Sequence, residues 1–257
     1  MTRRAAAIAV ELWLPITLFT LCWWMSGRSG SIYFPPLSDV VETFGRLWLF
    51  EQFGTDVVPS LQNLAIGFCL GSVVGVALGL MLGWTPRLLD AVSPIIELLR
   101  AIPGVALLPV MLLLLGIGPA MRISVIAYAT TWPILLNTID GVRGIEPTVL
   151  DVARSYQLPL LQRLFRVMLP AASPQIMAGM RTSLSLGVTV IFFSELVGST
   201  DGIGHRMLEY QRSFAIPEMW SGILLMGLLG YLLNVGFRGI ETVVLRWHRG
   251  MHRGPGA

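Results

Sequence analysis

The chain contains no lysine; all eighteen of its basic residues are arginine. That absence excludes phosphate binding by a GK[ST] loop, and it excludes Schiff-base or lysine general-base chemistry. Histidine occurs three times, at His205, His248 and His252, and none stands near a serine on a strand–turn–helix pattern, so no nucleophile–base set can be drawn. The two cysteines, Cys22 and Cys69, lie in apolar runs. They read as small core hydrophobes and supply neither a disulfide framework nor a zinc site. Charge is scarce too, at 13% of residues where soluble domains carry about 25%. Enzymatic chemistry, nucleotide hydrolysis above all, is therefore not expected of this chain, and no residue pattern asks for a metal or a cofactor.

What is abundant is apolar surface. Hydrophobic residues make up 54% of the 257, and mean hydropathy is +0.71. A chain of this length holds five to seven spans of about 20 residues, hence one all-α membrane domain over 1–257. Six spans can be drawn, at about 5–25, 57–84, 94–115, 122–140, 174–197 and 219–244, with the core of the domain at about 57–246. The first follows Arg3 and Arg4 as a signal peptide would, but it ends in Trp23-Trp24-Met25 without a small-x-small cleavage site and reads as retained. The second carries glycine at every fourth position, Gly67, Gly71, Gly75, Gly79 and Gly83, a pattern for close helix packing, with pore lining as the second reading. The third is interrupted by Arg100 and Pro103, and proline removes a backbone donor and disfavours helix before it. Residues 35–50 read as an interfacial helix and 200–217 as a polar outer loop.

Arginine placement orients the spans. With the N-terminus inside, thirteen arginines fall on the inner side and five on the outer, which puts both termini in the cytoplasm. The net charge of +3 is thereby a matter of topology, and no nucleic-acid partner is expected. The loop at about 148–170 becomes cytoplasmic. Val152, Tyr156, Leu160, Leu164 and Met168 recur there at i, i+4, with Arg154, Arg163 and Arg166 off the stripe, as in an amphipathic helix that docks on lipid or on a cytosolic partner. Glu97, Asp140 and Glu195 lie in or near apolar spans, where ionisable groups are functional candidates. Thr131, Asn137, Ser185 and Thr189 are the polar candidates for lining a path through spans three to five.

Several segments together resemble the membrane permease subunits of bacterial ABC importers, in the branch that imports nitrate, taurine and alkanesulfonates. The resemblance covers about 34–244. DVARSYQLPLLQRLFRVMLP (151–170) is similar to that family's EAA loop. FPPLSDV (34–40), RAIPGVALLPVMLLLLGIGP (100–119), PILLNTIDGVRGIEP (133–147), LPAASPQIMAGMR (169–181) and SELVGSTDGIGHRM (194–207) are similar to its flanking segments. The resemblance implies six spans and a coupling-helix loop in which Asp151, Val152, Ala153, Arg154, Ser155, Tyr156, Gln157 and Leu158 meet the ATPase. It also implies a homodimer of permeases in the inner membrane, two cytosolic ABC ATPase subunits that bind ATP and Mg, and an extracytoplasmic solute-binding protein. Glu195 matches the family's acidic residue at the outer end of span five. It is expected at the outer gate, held off the path by hydrogen bonds or by Arg122 or Arg206, because a carboxylate facing the path would repel an anion. Asp151 and Val152 depart from the usual glutamate and alanine, and Gln157 stands where the family has a bend-forming glycine. A small organic or inorganic anion is the favoured cargo. A vitamin precursor such as the thiamine pyrimidine or riboflavin is the alternative within the branch, and a stand-alone secondary transporter or channel is the alternative of another class.

Overall fold

A computed structural model describes residues 32–247 and, before them, Trp13, Thr17, Thr20, Leu21, Trp23 and Trp24. The expected first span, with Cys22, and the tail histidines His248 and His252 lie outside the described residues. Ten α-helices follow in order: α1 (Leu37–Arg46), α2 (Val58–Trp84), α3 (Pro86–Ala101), α4 (Leu108–Leu115), α5 (Pro119–Arg143), α6 (Pro147–Ser155), α7 (Leu160–Arg163), α8 (Leu169–Gly198), α9 (Ile203–Arg212) and α10 (Ile216–Val244). Wide π-helical turns join α1 to α2 and α7 to α8. Among the described residues there is no strand. Among the described residues three helical segments are long and apolar enough to cross a membrane, namely Phe53–Trp84, Leu160–Gly198 and Ile216–Val244, and the bent pair Pro86–Ala101 and Gly104–Leu115 makes a fourth if counted as one span.

The centre of the molecule is a three-helix layer in which α5 packs between α2 and α8. The glycine repeat of α2 accounts for the first contact. A Cβ at Gly71 would stand 2.2 Å from Thr130 Oγ1, and one at Gly79 would stand 2.5 Å from Thr138 Cβ. Gly67, Gly75 and Gly83 meet Ile126, Ile134 and Val142 in the same way. The partner residues also recur every fourth position, so the two backbones touch along their full length. The glycines thus serve packing and not a pore surface. At this contact Thr130 and Thr138 are fully buried, and each hydroxyl donates to a carbonyl one turn back in its own helix. That accounts for a 25-residue helix which carries Arg122, Asp140, Arg143 and several hydroxyls yet occupies the interior.

The third expected span differs from its reading. The helix begins at Pro86, stops at Ala101, and resumes after Ile102-Pro103 through a short 3₁₀ turn at an angle of 80°. Pro103 has no N–H, and Ile102 before it sits at ψ 115, outside the helical region. At the break the Leu99 carbonyl accepts from the Ile102 N–H at 3.1 Å and from the Tyr128 hydroxyl of α5 at 2.5 Å. The expected polar loop at 200–217 is also not a plain loop, since α9 lies within it. Cys69, read as a core hydrophobe, is exposed on α2. The interfacial segment does fold as a helix, and its continuation buries Trp48 completely, with Nε1 donating to Ser221 Oγ on α10 at 2.9 Å.

Candidate functional site

Two regions carry the candidate residues, one at each end of the α2–α5–α8 layer. At the end where α5 passes into α8, the single amphipathic helix expected over 151–170 is divided in two. α6 ends in a Schellman-type turn. The Gln157 N–H donates to the Arg154 carbonyl at 2.8 Å, and the Leu158 N–H donates to the Ala153 carbonyl at 3.2 Å. This closure needs a residue with positive φ, and Gln157 supplies it at φ 50. Side chains other than glycine and asparagine rarely adopt this region. Pro159 then starts the next segment, so the i, i+4 stripe is split between two short axes. Val152, Tyr156 and Leu160 stay exposed, whereas Met168, after the turn, is buried.

On α6 and its C-cap the exposed apolar side chains are Val149, Val152 and Tyr156, at i, i+3 and i+7, a single stripe. Tyr156 is 77% exposed. Ala153 lies between them on the same side and is buried, and with Val149, Val152, Tyr156 and Val167 it lines a shallow groove of about 350 Å³. Asp151 and Arg154 pair with each other at 2.9 Å, both largely exposed. Ser155 donates to the Asp151 carbonyl at 2.9 Å. Behind α6, Arg163 stacks over the Trp84 ring at 5.5 Å, fixing the next turn against the end of α2.

At the opposite end Glu195 is buried in a polar cluster built from four helices and the turn before α9. Ser60 on α2 donates to Glu195 Oε1 at 2.6 Å, and the Gly204 N–H donates to Oε2 at 2.9 Å. Asp56 accepts from the Gly202 N–H at 3.1 Å, and the Ser60 oxygen accepts from the Ile203 N–H at 3.1 Å. Three of the donors that a helix start leaves open are thus taken by side chains of other elements, a cap made by tertiary structure. Gly202 is necessary here. Its φ is 102, and a Cβ would lie 2.5 Å from the Glu195 carboxyl carbon.

Arg122, also buried, balances this carboxylate. It lies 3.7 Å from Glu195 Oε1 and 2.6 Å from Asp201 Oδ1. Arg206 approaches Asp56 Oδ2 at 3.3 Å and Glu209 at 2.8 Å. Burial alone would lower the Arg206 guanidinium, but the Asp56 and Glu209 carboxylates outweigh it and hold the group above its ordinary range. Asp56 and Ser60 escaped the sequence reading, because nothing in their spacing links them to residues about 140 positions away. The only local signal was an aspartate and a serine four apart at the start of an apolar run.

The four path candidates are not brought together. Thr131 donates to the Ala127 carbonyl at 2.7 Å, at the contact of α5 with α2. Asn137 donates to the Pro133 carbonyl at 2.8 Å and lies beside Gly179 of α8. Ser185 and Thr189 are exposed on one face of α8, and Ser185 exchanges hydrogen bonds with Asn234 of α10 at 3.2 and 3.4 Å.

Known proteins resemble this chain in sequence or in fold. The aliphatic sulfonates transport permease protein SsuC of Bacillus subtilis, named as putative, is 28% identical over 92% of this chain and 86% of its own length. The nitrate import permease protein NrtB of Synechocystis is 32% identical over 95% and 89%. Among solved structures, a chain of the inward-facing MetNI methionine ABC transporter superposes with a TM-score of 0.66 at 22% identity, covering 74% of this chain and 94% of that one. The pattern that matches over residues 71–249 describes the binding-protein-dependent transport system inner membrane component, and to that family this chain belongs.

Proposed function

We propose that this chain is the permease of an ABC importer for a small anion such as a sulfonate, taurine or nitrate. It works as a homodimer with two cytosolic ATPase subunits and an extracytoplasmic binding protein. The observation that carries the reading is the α6–α7 hairpin. An exposed stripe of Val149, Val152 and Tyr156 sits on a turn locked by its own hydrogen bonds, at the end of the helices that build the central layer. Such a stripe costs free energy in water unless a partner covers it. Residues Asp151 to Leu158 are the coupling segment, with Val152 and Tyr156 in contact with the ATPase and Ala153 holding the hairpin to its own chain. Six spans with both termini in the cytoplasm fit the arginine distribution. Ser185 and Thr189, polar and exposed on a spanning helix, fit a face turned to water or to the second copy, because lipid does not satisfy them. Glu195 keeps the outer end of the path closed by anchoring α9, and it does not touch the cargo.

The test is ATP hydrolysis by the reconstituted assembly. Tyr156→Arg puts a charge on the exposed stripe without disturbing packed atoms. It is expected to reduce stimulation of hydrolysis by loaded binding protein at least tenfold (about 1.4 kcal/mol of lost contact), while the permease elutes and melts as before. Undiminished stimulation in Tyr156→Arg and Val152→Asp alike rules out this stripe as the coupling surface.

A further inference from the structure

The seam between α8 and α10 carries charged groups that the proposed function has not used. Arg181 on α8 forms an ion pair with Glu241 on α10, and their side chains are 41% and 16% exposed. One turn further along α8, Ser185 bonds Asn234, and Asn234, Arg238 and Glu241 share one face of α10 at i, i+4 and i+7. The Arg181 Nε is buried and has no hydrogen-bond partner among the described residues. Arg238 is exposed and has no ionic partner among them.

The depth of Arg181 makes this costly. Ser183, two residues on, donates to the Thr130 carbonyl at 2.8 Å, and Thr130 packs on Gly71, the midpoint of α2. Arg181 therefore lies within the spanning part of α8, about 10 Å past the start of the span at residue 174, and its partner Glu241 stands three residues before the end of α10 at Val244. A guanidinium at such depth turns to water or to protein and marks a path by its cost. With two guanidinium groups and one carboxylate the seam has a net positive charge, and the unspent Nε donor adds an acceptor preference. A planar guanidinium offers paired N–H groups that match the oxygens of a sulfonate or a nitrate.

We infer that this seam is an anion-binding stretch of the path. Arg181 and Arg238 take up a small singly charged oxyanion, and Glu241 is the internal counter-ion that the oxyanion displaces from Arg181. In the empty state Glu241 neutralises Arg181 and keeps its charge from binding any passing anion tightly. Release follows when the carboxylate returns. The inference rests on the reading of the chain as an anion importer's permease.

Thiol modification tests it without knowledge of the cargo. In a Cys22→Ala/Cys69→Ala background, Ser185→Cys is placed in membrane vesicles that hold the assembled transporter. The probes are two methanethiosulfonate reagents, one bearing a sulfonate and one a trimethylammonium group, with rates normalised to a free thiol. The sulfonate reagent is expected to react roughly tenfold faster than the cationic one, as a unit charge about 6 Å away in a partly screened site requires. Glu241→Gln raises that preference several-fold. The Arg181→Gln/Glu241→Gln pair, which leaves no unpaired charge at depth, abolishes it, and Arg181→Lys retains it. Equal rates for both reagents, unchanged by these substitutions, overturn the anion seam while leaving a water-filled path in place. A thiol at 185 that stays inert to both reagents in every transport state overturns the path reading of α8, and the seam with it.

Discussion

At the scale of single residues, Gln157 and Glu195 show how local chemistry and distant partners divide the work. Gln157 holds φ 50 because the hydrogen bonds of the α6 closure require it, and a side chain there works against the backbone. Gln157→Gly should relieve part of a left-handed cost of about 1–2 kcal/mol, offset by the greater freedom of glycine in the unfolded chain. Hydrogen exchange at the Gln157 and Leu158 amides is expected to slow by roughly two- to fivefold, whereas Gln157→Val should speed it. Glu195 answers to a different logic. Its carboxylate accepts from Ser60 and Gly204 and lies beside Arg122. Glu195→Gln keeps the volume but weakens charge-assisted bonds worth about 1.5–3 kcal/mol each. Asp201 still pairs with Arg122, so the expected loss is about 2 kcal/mol, read as a lower thermal midpoint. Competition uptake should show the order of preferred substrates unchanged; a switch in that order would mean that Glu195 touches the cargo.

At the scale of elements, the glycine face of α2 is the clearest case of sequence becoming packing. A valine at Gly71 would drive its Cβ into Thr130 Oγ1 and the Ala127 carbonyl, both of which belong to a helix already tight against α8. Overpacking of this kind costs about 1–3 kcal/mol where neighbours yield, and more where backbone is struck. Gly71→Val is therefore expected to lower the melting temperature and the yield of assembled permease. Gly227→Ala on α10, where a Cβ meets nothing within 4 Å, should leave both unchanged. The spans at 57–84, 174–197 and 219–244 were legible in the sequence because long apolar runs have one stable outcome in lipid. The bend at Pro103 was legible as a break but not as an angle of 80°, which α5 sets by packing against both arms. The helix α9 was hidden, since its donors are capped by Asp56, Ser60 and Glu195 and by no residue of its own start.

At the scale of the molecule, the α6–α7 hairpin and the Glu195 cluster lie at opposite ends of one packed layer, and under the proposed function a push on the first reaches the second through α5 and α8. An importer that alternates between facings needs such a lever. The orientation of the lever is itself testable. Alkaline phosphatase fused after Ser213, beyond α9, should be active, and fused after Gln162, beyond the α6 turn, it should be inactive. The reverse pattern would invert the topology drawn from the arginines.

Composition alone pointed to an all-helical membrane protein and excluded lysine-based chemistry. Its motif segments marked it as similar to the importer permeases of the family it belongs to. These features are written in local order, where hydropathy, helical spacing and short motifs act within a few turns. Only the tertiary structure decided that Asp56 and Ser60 cap α9 and that Arg181 meets Glu241. Each of these depends on which face of one helix is pressed against another. That is fixed by packing between residues 60 to 146 positions apart, for which the chain carries no periodic signal.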